Sequence, residues 1–458
     1  MILTGCLNYA GMKAQSTPLT ASDLSGHHQY KHSTQQASNG WWLRFHDSQL
    51  NELINIALED SPSMQIAASR VRKTQQLTAE ASSSLWPTIE TSGYSQRQRF
   101  SQYGLIPPPF NGETFNINEI GLNFNYEFDF WGKHRQLVAA SVSEQYASEA
   151  DLAQAQLIIS TAIANTFWQL QNNKEQWRIS EIIVKNREEI LAIIKDRHQH
   201  GLISAIPYES AMTSLEAAKI ISAQYKSAIK LSLNQLATLI GKNPFETEIT
   251  TKRLSYRHYQ VKLPRELPAN LLANRPDIKA SRFRVEAEAH RINVAKARFF
   301  PNINLGALLS YESINFGKLF SPHSQNNAAT GAIDLPLFDA GARRANLGEQ
   351  YANYDIAVNE YNKTILKALR EVSDQIAILK SVNSQLQMQN ISLNAIEKNY
   401  HLTTSNYQHG IVDYIQVLNS KLQLLQQQAN QAKLQTQHLQ TVVAIIKALG
   451  GSNRNDGH

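Results

Sequence analysis

The sequence predicts an α+β membrane protein built as two tandem structural repeats. Each repeat reads as a helix, a β-hairpin, a long helix and a further helix. Three observations carry this. The chain matches itself at fixed offsets, two long stretches contain no proline, and one segment alternates apolar and polar residues from 119 to 130.

The self-match comes first. Pro62 pairs with Pro276 and Pro87 with Pro301, and Arg70/Arg284, Val71/Val285, Ala81/Ala295 and Ile89/Ile303 keep the same offset. Gly132/Gly341, Arg135/Arg344, His200/His409, Gly201/Gly410 and Gly241/Gly450 keep a second, slightly shorter one, as a single loop-length change produces. The period far exceeds the roughly 20–50 residues of solenoid units. It indicates a duplicated half whose copies are pseudo-symmetric.

Composition narrows the class. The 458 residues carry a net charge of +6, and the basic residues are scattered, so there is no nucleic-acid footprint. No run of about 18 apolar residues exists, so no transmembrane helix is expected. The single cysteine, Cys6, rules out an intrachain disulfide. It closes Leu3-Thr4-Gly5-Cys6, which looks like a bacterial lipobox, and lipidation of Cys6 is the expectation. The competing reading is a free thiol near a frayed end. Five residues precede it, whereas a signal peptide needs a charged region and about 7–15 apolar residues. Either the start lies upstream or the motif is accidental.

Residues 1–46 hold this motif and a polar, extended tether. His27, His28 and His32 fit a linker better than a metal site. The first repeat spans 47–242. Trp41-Trp42-Leu43-Arg44-Phe45 opens its first helical stretch, 47–84. A hairpin covers 88–131, a long helix 133–199 and a shorter helix 204–241. A linker at 243–267 leads to the second repeat, 268–450. That repeat has a helix at 268–298, a hairpin at 302–338, and helices at 342–408 and 413–449, before a tail at 451–458. Proline is absent from 110–206 and 337–458, which permits the long helices, since proline in a helix interior costs about 3 kcal/mol. Each long helix measures about 100 Å at about 1.5 Å per residue. Ile415, Leu418, Leu422, Leu425, Ala429 and Ala432 form a narrow seam, as do Ile159, Ile163, Phe167 and Leu170. Narrow seams between wet faces fit the wall of a hollow tube.

The second strand is the clearest. Ile120, Leu122, Phe124, Tyr126, Phe128 and Phe130 share one face, while Glu119, Gly121, Asn123, Asn125, Glu127 and Asp129 share the other. Its length suffices to cross a bilayer, and Phe130 with Trp131 suits an interface girdle. Ile303, Leu305, Ala307, Leu309 and Tyr311 repeat the pattern. The strands at 88–101 and about 327–338 are weaker. Residues 105–116 and 313–327 are expected at the hairpin tips. A soluble four-stranded sheet is the alternative. Four strands cannot close a pore, and open edges cannot face lipid. Three chains would supply a twelve-stranded barrel.

The whole resembles the TolC/OprM-like outer-membrane efflux factors, lipoprotein branch. The resemblance rests on the Cys6 motif, Trp41-Trp42 with Phe45 and Asp47, and Tyr126-Glu127-Phe128-Asp129-Phe130-Trp131-Gly132-Lys133. It also rests on Leu272 through Ile278, Ala297-Arg298-Phe299-Phe300-Pro301, Phe338-Asp339-Ala340-Gly341 and Tyr407 through Leu418. It implies a homotrimer with a long α-helical barrel in the periplasm and a β-barrel in outer-membrane lipid. A periplasmic adaptor and an inner-membrane pump would be its partners, and its role that of a passive exit duct for drugs or other small toxic compounds. It implies no cofactor and no metal.

The resemblance also implies a periplasmic tip at Gly201, Ser204, Tyr407, Gly410, Asp413 and Tyr414. The glycines suit helix ends, and Ser204 and Asp413 suit N-caps. Family members often carry a charged pair farther along, where Asn419 and Leu422 stand here. Gating would then rest on Tyr407, Asp413 and Tyr414. No phosphate loop, zinc cluster or nucleophile elbow suggests an enzyme. The same fold serving metal-ion efflux or type I protein secretion, and a coiled-coil scaffold without a channel, are the other readings.

Overall fold

The computed structural model describes residues 9, 11–20, 40–247, 249, 251 and 274–451. Cys6, the three linker histidines and the expected helix start at 268 lie outside the described residues.

Trp41–Phe45 forms a 3-10 turn. It is followed by α1 (Ser48–Asp60), α2 (Pro62–Ser83), β1 (Thr88–Arg99), β2 (Thr114–Phe128), α3 (Lys133–Gln199) and α4 (Ala205–Leu239). The second half contributes α5 (Pro276–Ala297), β3 (Asn302–Ser313), β4 (Gln325–Asp334), α6 (Ala342–Gln408) and α7 (Tyr414–Ala448). The duplication holds in element lengths. The helices α2 and α5 have 22 residues each, β1 and β3 have 12, α3 and α6 have 67, and α4 and α7 have 35.

Several sequence-based bounds need correction. The stretch 47–84 is two helices, not one. Ser61 is extended (ψ 136°) because the Pro62 ring excludes the helical conformation from the residue before it. β2 starts at Thr114, so Asn116, expected in a loop, lies in the strand. Ser313 and Asn327, expected at the other tip, belong to β3 and β4. β4 ends at Asp334 rather than 338, two residues ahead of Pro336, which has no N–H for a ladder. Phe130 and Trp131 lie just past the end of β2, in the turn before α3.

The described residues form two compact units. One contains the sheet, in the order β1-β2-β3-β4, with every neighbouring pair antiparallel. It also contains residues 71–83 of α2, 133–148 of α3, most of α5 and the start of α6. Ile292, Ala295, Phe299 and Leu347 pack together there, with Tyr9 and Met12 of an N-terminal strap laid over them. The backbone N–H groups of Gln15 and Ser16 both donate to the Asp355 carboxylate, at 2.9 and 2.8 Å.

The other unit is helical. Its largest core joins Trp41, Trp42 and Phe45 to Leu50, Ile54, Ile163, Phe167, Trp168, Leu236, Val442 and Ile446. Phe45 packs 5.3 Å from Trp168, and the Trp41 indole donates to the Ser160 hydroxyl at 3.1 Å. The chain enters α1 through Asp47, whose carboxylate accepts from the N–H groups of Gln49 and Leu50.

Candidate functional site

The sheet register assigns every strand residue to a face. Ile120, Leu122, Phe124, Tyr126 and Phe128 stand opposite Tyr311, Leu309, Ala307, Leu305 and Ile303. Two central strands therefore build one continuous apolar surface. Ile120, Leu122 and Phe128 are exposed, whereas Phe124 and Tyr126 are half-buried by neighbouring side chains. From Ile120 to Phe128 the band runs about 30 Å along the strand at about 3.4 Å per residue. It stops where Asn118 turns polar. Asn118 accepts from the Ser95 hydroxyl at 2.7 Å and donates to the Ser313 carbonyl at 3.1 Å.

Aromatic rings mark the ends. Phe128 lies 4.9 Å from Tyr126 and 5.6 Å from Phe130. Trp131 stacks on Phe300 at 4.5 Å, and its indole N–H donates to the Pro301 carbonyl at 2.8 Å. At the far end Phe320 sits 6.2 Å from Tyr311. The edge strands are different. On the same face, β1 offers Ile89, Thr91 and Gly93, and β4 offers Ile333, Gly331, Ala329 and Asn327. Large apolar residues are concentrated on the two central strands.

Each strand-to-helix turn is clasped by an aspartate. Asp129 accepts from the N–H groups of His134 and Arg135 (3.1 and 2.9 Å) and from the Arg135 side chain (3.2 Å). Asp339 accepts from the Gly341 and Arg343 N–H groups (3.1 and 3.2 Å) and from the Arg343 side chain (2.6 Å). Sequence matching pairs Arg135 with Arg344, but Arg343 closes the second clasp. Partial burial pushes the Asp129 carboxyl up, yet the bonds from Arg135 and His134 outweigh it and hold it below its usual range. The Arg343 bond does the same for Asp339.

In the helical unit, α3 and α6 end in matching turns. Gly201 (φ +70°) and Gly410 (φ +75°) adopt the left-handed conformation that glycine alone takes cheaply. The N–H groups of Gly201 and Leu202 return to the His198 and Arg197 carbonyls, and those of Gly410 and Ile411 return to Tyr407 and Asn406. Asp413 then caps α7, accepting from the Gln416 N–H at 3.1 Å. Ser204 occupies the N-cap position expected for it before α4, but the capping bond is absent.

Arg197 reaches the Asp413 carboxylate at 3.4 Å. The Tyr414 hydroxyl donates to Glu189 at 3.4 Å, and the Tyr414 ring lies 5.1 Å from Tyr407. Burial and the Glu189 carboxylate together push the Tyr414 hydroxyl pKa up. Gly201, Tyr407, Gly410, Asp413 and Tyr414 thus belong to two adjoining turns, while Asn419 sits exposed farther along α7. Arg197 and Glu189 were missed in the sequence. No local spacing links them to residues more than two hundred positions away.

Elsewhere in this unit Arg275 is almost fully buried. It pairs with Asp277 (2.8 Å) and Glu371 (2.9 Å) and donates to the Ala448 carbonyl (2.9 Å). Gly450 lies against it so closely that a Cβ would come 2.8 Å from the Arg275 Cα.

An apolar band on a four-stranded sheet, girdled by aromatics and joined to two 67-residue helices, is the architecture of an outer-membrane channel protein. The outer membrane efflux protein family matches residues 53–242 and 267–451, and the chain belongs to that family. It is 29% identical over 423 residues to the multidrug resistance outer membrane protein MdtQ of Escherichia coli O157:H7, covering 90% of this chain and 87% of the relative. It is 27% identical over 420 residues to the antibiotic efflux pump outer membrane protein ArpC of Pseudomonas putida, covering 91% and 85%. The crystal structure of the outer membrane protein VceC from Vibrio cholerae superimposes with a TM-score of 0.81 at 29% identity, covering 91% of this chain and 99% of that one. The family is one of ducts rather than enzymes.

Proposed function

We propose that this chain is the outer-membrane duct of a tripartite efflux pump that expels drugs or other small toxic compounds. The observation that carries it is the four-stranded sheet with a lipid-type apolar band whose edge strands, β1 and β4, each have one unpaired side among the described residues. Open edges are not tolerated in hydrocarbon. A homotrimer pairs β4 of each copy with β1 of the next and closes twelve strands, an even number in the known range. The names of MdtQ and ArpC support drugs or antibiotics as cargo.

In this reading the helices project into the periplasm and meet a periplasmic adaptor, and through it an inner-membrane pump that supplies the energy. The turns around Gly201 and Gly410 form the closing tip, held by Arg197–Asp413 and Tyr414–Glu189. Cys6 carries the lipid anchor. Outer membranes from the source cell test this. A tagged protein extracted in mild detergent should give a three-chain particle that conducts ions in a planar bilayer, and deletion should lower drug tolerance. A soluble monomer would overturn it. Labelled palmitate should enter the wild type and not Cys6→Ser.

A further inference from the structure

The strand register sorts charge as sharply as it sorts apolar from polar residues. Every carboxylate within the four strands lies on the face opposite the apolar band: Glu90, Glu119, Glu127, Glu312 and Asp334. The only cations within the strands, Arg97 and Arg99, lie on the band's own face. Thr91 and Gly93 stand opposite Leu122 and Ile120, and alternate residues of a strand share a face.

Both arginines stand just past the band. Gly93 is level with Ile120, where the band ends, and Arg97 is level with Asn116, four residues on. That is about 14 Å along the strand at about 3.4 Å per residue, and less along the bilayer normal, because barrel strands tilt by about 35–45°. The guanidinium groups therefore belong at headgroup depth, above the hydrocarbon. This end of the sheet carries the hairpin tips and lies away from the helices, so in the duct reading it faces the cell exterior.

Both side chains are exposed. Arg97 has no hydrogen-bond or ion-pair partner among the described residues. Arg99 donates through Nε to the Gly112 carbonyl at 3.2 Å, which leaves its two Nη groups to bind elsewhere. Closure of the barrel does not neutralise them. The strand that would meet β1 is β4 of the next copy, and β4 presents no acidic residue on the band's face.

We propose that Arg97 and Arg99 bind a phosphate of the phosphorylated glycolipid of the outer leaflet. The two residues are about 7 Å apart along the strand, so one phosphate can take a guanidinium fork from each. A lipid is the occupant rather than the free ion because the arginines continue the apolar band. One molecule can lay its acyl chains on Ile120 and Leu122 and its phosphate on the arginines. Each trimer then carries three such sites around its rim. The proposal rests on the reading of the chain as a trimeric outer-membrane duct.

The test uses the full-length trimer, extracted from outer membranes in mild detergent. It is titrated with lipid A carrying both phosphates and with the dephosphorylated lipid, and bound lipid is read by native mass spectrometry. Wild type should bind the phosphorylated form about tenfold more tightly or better, as one or two charge-assisted hydrogen bonds provide. The preference should shrink as salt rises. Arg97→Gln combined with Arg99→Gln should bind both lipids alike. Should that variant fail to assemble, the two lipids on wild type still decide. Millimolar inorganic phosphate should leave the preference intact, and its loss there would assign the site to the free ion and overturn the lipid. Equal binding of both lipids by a conducting wild-type trimer, or an unchanged preference in the double variant, overturns the proposal alone. Recovery of wild type as a soluble monomer overturns the duct reading and this site with it.

Discussion

Arg197 and Asp413 lie 216 positions apart in the chain, and their side chains meet at 3.4 Å where two repeat-related turns adjoin. Asp413 has a second task there, capping α7 through the Gln416 N–H. One carboxylate thus serves helix and turn together. Asp413→Ala removes both roles and should cost about 1 kcal/mol for the cap and at most about 1 kcal/mol for the exposed pair. Asp413→Asn keeps the cap and loses the charge. In single-channel records, alanine should open the tip more than asparagine does. Unchanged conductance in both would sink the tip assignment.

Arg275 should be the most sensitive charged residue of the helical unit. Removing one member of a buried ion pair costs about 3–5 kcal/mol, because the remaining charge loses its partner. Arg275→Met should therefore lower the thermal midpoint sharply. Arg275→Lys should rescue only part of it, since lysine cannot hold Asp277 and Glu371 with a planar fork. A midpoint within a degree of wild type for Arg275→Met would contradict the network.

The turn aspartates predict a loss of stability in acid. The arginine and backbone hydrogen bonds hold the Asp129 and Asp339 carboxyls below the ordinary carboxylate range in the folded state, against the upward push of partial burial. A lowered folded pKa means the ionised carboxylate is favoured in the native state. The stabilisation is present above about pH 4 and disappears as pH falls through the lower folded value. Denaturant unfolding between pH 6 and pH 2, in about half-unit steps, should show wild type converging on Asp129→Asn at the acid end. Parallel curves would count against the clasp.

The two faces of β2 should respond oppositely to charge. Leu122→Arg places a cation in the apolar band and should cost about 2–4 kcal/mol near the bilayer midplane. Asn123→Arg, one residue on, falls on the wet face and should be tolerated. Yield of folded protein in the outer-membrane fraction measures this directly. Equal yields would mean the band does not face lipid.

Much of this architecture was legible because it repeats locally. Proline-free sequence permits the length of α3 and α6, and the faces of β2 follow from strict alternation. Local features of short reach were misjudged. Pro62 divides a stretch that periodicity alone treats as one helix, and Phe130 continues the alternation although the strand has already ended at Phe128. The candidate tip was half legible. The turn glycines and Asp413 announce themselves by spacing, but Arg197 and Glu189 acquire meaning only through tertiary approach.

The strap held by Asp355 has a consequence for the order in which the chain becomes complete. Gln15 and Ser16 are made early, yet the carboxylate that receives their amides is made 340 residues after Gln15. Pairings this distant form late, since so much chain must be gathered first. A chain that stops before α6 keeps the apolar contacts of Tyr9 and Met12 with Ile292, Ala295 and Phe299 but lacks the carboxylate that holds Gln15 and Ser16. The strap is thus completed only when residues of α6, most of the sequence later, fold beneath it.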